Sequence, residues 1–316
     1  MSEYLRPRAL AAALLAVLAL ALTSAGCGGS DGDDGHDGNA REARALLEDT
    51  FAKDVESGEL ELKVKADVEG VKSLEEPLEV TVKGPFKSNG KKKLPVLDWD
   101  IAFDGAGQKL SGGLVATRDN AFVELQGQAY EVGEKTFARL AREVTKAQPN
   151  RPTSPGKLGM DPASWLEDPK VENGEPIGGD DTREVTGSVN VRKVVRDVAD
   201  LFKSPAVRRQ LERQGQGSAA VPEPTNADLK EIEDAIEDAD VELSVDENDV
   251  LRRFVTDVRF DVPREGNAKD VKGKFTLTYV LRKVGTDRVI RAPSNPRPLS
   301  ELLGGFGLGA PGSPRD

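Results

Sequence analysis

One cysteine, Cys27, and one histidine, His36, are all the chain holds of either residue. A single thiol excludes a disulfide framework and a cysteine-based metal site. A single histidine, set in a Gly/Asp-rich stretch, leaves no folded imidazole for acid–base work or a Ser-His-Asp arrangement. Aromatic residues are only 5% of the chain, too few for a stacked sugar-binding platform. Basic residues are outnumbered, 44 against 55 acidic, giving a net charge of -11. That balance argues against nucleic acid, whose binding needs Lys and Arg on phosphates, and against a broad electrostatic grip on anionic lipid. Long apolar runs are scarce too, and the one present spans Ala9 to Leu22.

That run follows Arg6 and Arg8, and Thr23-Ser24-Ala25-Gly26 leads from it into Cys27. It is shorter than the ~20 residues a permanent membrane helix needs. A basic start, a short aliphatic core and small residues at the end describe a bacterial signal peptide over 1–26. The placement of Cys27 resembles the lipobox of bacterial lipoproteins. The resemblance implies an acylated Cys27 as the mature N-terminus. Two or three acyl chains (palmitate or similar) anchor firmly, since each buried methylene contributes about 0.8 kcal/mol. The expectation is an exported chain held on the outer face of the cytoplasmic membrane, in the cell envelope.

Residues 27–40 read as a flexible tether, because Gly28 to Asn39 has no apolar side chain to bury. Its aspartates do not follow the spacing of a calcium loop. Ala40 to Val55 has a helical stripe of Ala43, Leu46, Leu47, Phe51 and Val55. The period then becomes two: Leu60, Leu62, Val64 alternate with charged residues, as do Leu78, Val80 and Val82. Such strands have one apolar and one wet face, the mark of an antiparallel sheet. Gly84-Pro85 is expected to end the second strand. Further short strands run to Val132, with Trp99, Ile101 and Phe103 on one face. A helix follows over Thr136 to Ala147.

Pro149 to Pro162 reads as a surface loop, with a helix start at Asp161-Pro162. Glu184 to Val191 is a strand and Val194 to Phe202 a helix. Gly215 to Pro224 is a break, and Asn226 opens an acidic helix. Three strands close the pattern, carrying Val241, Leu243, Val245; then Phe254, Val258, Phe260, Val262; then Phe275, Leu277, Tyr279, Leu281. From 291 to 316, prolines and glycines predict a disordered tail, with one helical turn open to Leu299 to Leu303.

Cys27, the amphipathic strands, helical insertions around residues 134–239, Thr186-Gly187-Ser188-Val189 and Val250-Leu251-Arg252-Arg253-Phe254 together resemble the actinobacterial lipoproteins of the LppX/LprG type. More remotely they resemble the LolA/LolB proteins. The resemblance covers about residues 40 to 290, and insertions at 149–180 and 203–225 exceed the usual pattern. It implies an α+β fold over 41–290: a strongly curved antiparallel sheet, a half-barrel, with helices packed on its concave side. It also implies a lipid or glycolipid carried between sheet and helices, with no catalytic residue and no cofactor.

The candidate lining of such a hollow is Leu62, Val64, Val80, Trp99, Ile101, Phe103, Phe254, Phe260, Leu277 and Tyr279. The same residues fit an ordinary filled core equally well, since protein interiors are close-packed. Two functions therefore stand: a carrier of a hydrophobic ligand, or a non-catalytic envelope scaffold with a filled core. Acidic clusters such as Asp180-Asp181 and Glu237/Asp238/Asp240 read as solvated surface rather than metal or catalytic sites.

Overall fold

The computed structural model describes residues 38–71, 76–90, 93–147, 162–203, 225–263 and 269–305. Cys27, the signal sequence and most of the tether lie outside them. So do residues 148–161, most of the stretch where a loop was expected, and residues 204–224.

Twelve strands form one sheet. They are β1 (Ser57–Glu69), β2 (Leu78–Lys87), β3 (Val96–Gly105), β4 (Gln108–Ala116), β5 (Ala121–Leu125) and β6 (Gln128–Glu131). There follow β7 (Leu166–Ile177), β8 (Asp180–Val189), β9 (Ile236–Asp246), β10 (Leu251–Val262), β11 (Val271–Arg282) and β12 (Arg297–Pro298). Among the described residues five α-helices accompany them: α1 (Gly38–Ala52), α2 (Glu134–Ala147), α3 (Val191–Lys203), α4 (Asn226–Ala235) and α5 (Leu299–Gly305). The strand order is β12-β6-β5-β4-β3-β2-β1-β11-β10-β9-β8-β7, so the sheet is open, with β12 and β7 at its edges. Pairing is antiparallel from β2 to β6 and from β7 to β11, and β12 runs parallel to β6. The fold is α+β on an open antiparallel sheet, as the sequence resemblance implied.

The chain divides into two compact units. The first takes the chain up to Val55, with Val64–Pro77 and Pro152–Val280. The second takes Glu56–Lys63, Leu78–Arg151 and everything from Leu281.

In the first unit, α1 supplies Ala43, Leu46 and Leu47 to a core with Leu166, Val185, Leu243 and Val245. Register explains the match. Val171, Val185, Leu243, Phe254 and Tyr279 face one another across successive strands, so their side chains share one side. Helix α3 starts on Asn190, whose side-chain oxygen accepts the Lys193 N–H at 2.9 Å. The Trp165 indole donates to Asp197 of α3 at 2.6 Å.

In the second unit, Phe137 of α2 packs on Leu97, Ala116 and Ala121. Gly84-Pro85 does not end β2. Register is kept on both sides, Val82 opposite Ile101 and Phe86 opposite Leu97. Gly84 makes this possible with a φ of 147° and a backbone so close to β3 that a Cβ would sit 2.0 Å from the Asp98 carbonyl oxygen.

Two other expectations need correction. The stretch at 149–180 contains a full strand, β7, where only a loop and a helix start were expected. The helix start at Pro162 is a single 3-10 turn, Pro162–Trp165. The tail expected to be disordered from 291 is ordered up to Gly305, because Arg297–Pro298 pairs with Tyr130 and Glu131 and α5 follows directly.

Candidate functional site

The ten candidate lining residues fall into two environments. Phe260, Leu277 and Tyr279 belong to the first unit and are buried, Leu277 completely. The Phe260 ring covers Gly273, where a Cβ would lie 2.8 Å from it. Phe254 packs against the α1 core. Burial pushes the Tyr279 phenol far above its ordinary value, against the opposing charge of Arg252. On this side of the first unit the candidates are buried or half-buried.

The second unit differs. Val80 pairs with Phe103, Phe103 with Leu110, Val82 with Ile101, and Ile101 with Gly112. These residues share the face that carries Trp99 and Leu114 farther along. Helix α2 covers only the Trp99 end, through Phe137. Beyond it the apolar face opens: Ile101 is 36% exposed and Leu110 is 55% exposed, with Val80, Val82 and Phe103 half-buried. The Trp99 indole N–H is buried and has no hydrogen-bond partner among the described residues. Buried polar groups are nearly always paired, so this donor is a notable exception. Leu62 is buried and Val64 half-buried on β1.

Leu110 and Val82 were not among the ten. Both were findable: Val82 continues the alternation of Val80, and Leu110 sits across the hairpin from Phe103.

A hollow of about 510 Å³ also lies in the second unit. Thr81, Lys83, Asp100, Ser111, Glu124 and Gln126 line it, with Ile101 the one member of the ten. Thr81, Ala102 and Ser111 are successive partners across β2, β3 and β4, so this is the wet side of the sheet. Glu124 folds over Gly113, whose missing side chain leaves room for it. The volume suits a small ligand; the wall offers more apolar than polar surface, but most of the side chains around it are polar types and not the aliphatic ones expected.

No three His, Cys, Asp or Glu side chains gather to hold a metal among the described residues. No helix there is long and apolar enough to cross a membrane.

No protein-family model matches the chain, and no curated protein matches its sequence. Solved structures do. LprF from Mycobacterium bovis is 14% identical, covering 81% of this chain and 98% of its own, with a TM-score of 0.42. The Mycobacterium tuberculosis lipoprotein LppX is 11% identical, covering 79% of this chain and 99% of its own, with a TM-score of 0.35. LppX is one of the two proteins that name the type the sequence resembles.

Proposed function

We propose that this chain is an exported lipoprotein, anchored through acyl chains on Cys27, that binds or carries a lipid or other hydrophobic ligand. The observation behind this reading is the incomplete cover on the apolar face of β2, β3 and β4, at Ile101 and Leu110. Exposed apolar faces of this kind mark interaction sites more often than they occur idly. Each ligand methylene laid there and removed from water contributes about 0.8 kcal/mol. The unpaired Trp99 N–H, on the same face, suits a ligand with a hydrogen-bond acceptor, such as an ester or acid carbonyl. The ligand seat is therefore on the second unit. The buried core of the first unit is its scaffold, and taken alone it favours the alternative of a non-catalytic envelope protein.

The test is uptake of a fluorescent fatty-acid probe by the purified chain, with extraction of any co-purifying lipid. Saturable uptake, lost in Ile101→Asp and kept in a surface variant such as Lys65→Gln, is the expected result. No bound lipid and no uptake would remove the carrier reading and leave the scaffold.

A further inference from the structure

Helix α2 carries Lys135, Arg139 and Arg142 at spacings of four and three residues. This spacing sets them on one side of the helix. Only Glu134 and Glu143 oppose them on the same element. Lys135, Arg139 and Arg142 are exposed and have no ion-pair partner among the described residues. Many cations elsewhere are paired: Lys63 with Glu79, Arg192 with Glu233, Arg282 with Glu61, Lys283 and Arg288 with Glu59. In a chain of net charge -11, an uncompensated cationic stripe is a local inversion of sign.

The opposite side of α2 is fixed, because Phe137 is buried against Leu97, Ala116 and Ala121. The stripe is therefore held outward by the core. Leu140 lies on the flank between the two sides and is 49% exposed, an apolar side chain at the border of a cationic surface. A basic amphipathic helix of this construction fits a membrane surface.

We propose that α2 docks on anionic phospholipid headgroups through Lys135, Arg139 and Arg142, with Leu140 entering the headgroup boundary. The contact is electrostatic and reversible, unlike an acyl anchor. It places the helix that covers one end of the apolar face directly on a bilayer. Docking itself does not depend on the ligand-binding reading above; only its purpose, bringing the open face to its lipid, rests on it.

The test uses the full chain with Cys27→Ser, so that no acyl anchor contributes. Partition is measured onto phosphatidylcholine vesicles with and without phosphatidylglycerol. The expected result is a preference for the anionic vesicles that high salt erases. Lys135→Gln/Arg139→Gln/Arg142→Gln lowers that partition about fivefold per charge, about a hundredfold for the three. Binding to the neutral vesicles is unchanged. The charge-keeping set Lys135→Arg/Arg139→Lys/Arg142→Lys retains the preference, which separates charge from a folding defect. A fluorophore on Ala138→Cys is quenched by brominated phosphatidylglycerol vesicles, locating the contact at α2 and not at Arg6 and Arg8. Equal binding of parent and triple Gln variant to anionic vesicles, or no preference by the parent, overturns the proposal. Fatty-acid probe uptake in the triple variant, measured without vesicles, is expected to match the parent. Its loss from both chains would count against the ligand reading alone.

Discussion

Asn39 closes the outer edge of β7 at Val171. Its side-chain amide donates to the Val171 carbonyl at 3.2 Å, and its side-chain oxygen accepts the Val171 N–H at 2.6 Å. A helical side chain thus imitates the strand that the sheet edge lacks. An unpaired edge is a template for pairing with another chain. Asn39→Ala is expected to lower stability by about 1–2 kcal/mol, at roughly 1 kcal/mol per hydrogen bond. It is also expected to increase self-association, read by size-exclusion chromatography over a concentration series.

Arg252 is 1% exposed, fully inside the first unit at an irregularity in the β9–β10 pairing. Its guanidinium donates to Asp246 at 2.9 Å, to the Ile177 carbonyl at 3.3 Å and to Asp180. Asp246 also accepts the backbone N–H groups of Asn248 and Val250, closing the β9–β10 turn. One cation therefore ties two hairpin ends together. Arg252→Ala leaves Asp246 buried without its counter-charge, and breaking such a pair costs about 3–5 kcal/mol. Denaturant unfolding is expected to show that loss. Arg252→Met/Asp246→Asn is expected to lose less than the two single changes summed, because neither partner is left as a lone buried charge.

Two aspartates are expected to respond to acid with opposite sign. Burial works to raise the Asp257 carboxyl, but the Thr276 hydroxyl and the Lys274 ammonium outweigh it and hold the group below the usual range. Its stabilising contribution is present above an ordinary carboxylate pKa of about 3.9 and is lost as pH falls through the depressed value. Asp98 is raised, by burial first and by the charge of Asp100 second, with Arg288 opposing. Its ionised form is a cost at neutral pH, relieved as pH falls through the raised value. Asp257→Asn should lower Tm at neutral pH and Asp98→Asn should raise it. Both differences shrink toward zero in strong acid, and thermal melts over a pH series read them.

The two halves of the candidate lining can be separated by mutation. Leu277→Ala removes a fully buried side chain and is expected to cost about 2–5 kcal/mol. Leu110→Lys changes an exposed position and is expected to leave stability within about 0.5 kcal/mol while reducing hydrophobic-probe uptake. Paired melts and probe titrations decide it; a Leu110→Lys chain that binds probe normally would move the ligand off this face.

The sequence showed the faces of the strands but not what covers them. Ile101 and Leu277 carry the same signal, an aliphatic residue at period two between polar neighbours, yet one is exposed and the other sealed. The difference lies in what packs over each strand, which is a tertiary outcome that alternation does not encode. Strand β7 was illegible for another reason. Leu166–Ile177 contains two prolines and a glycine and has no alternation. It is held by pairing with β8, by Asn39, and by the Thr182 hydroxyl donating to the Glu175 carbonyl at 2.8 Å. The ordered C-terminal segment was half legible: Leu299 to Leu303 read as a helical turn, but a two-residue strand has no period to read.

The last strand is Arg297–Pro298, and it forms the far margin of the sheet. Proline has no backbone N–H to offer a newcomer, so the ladder stops on a residue unable to extend it. Many copies crowded side by side gain from that margin no seam along which to polymerise into ribbons.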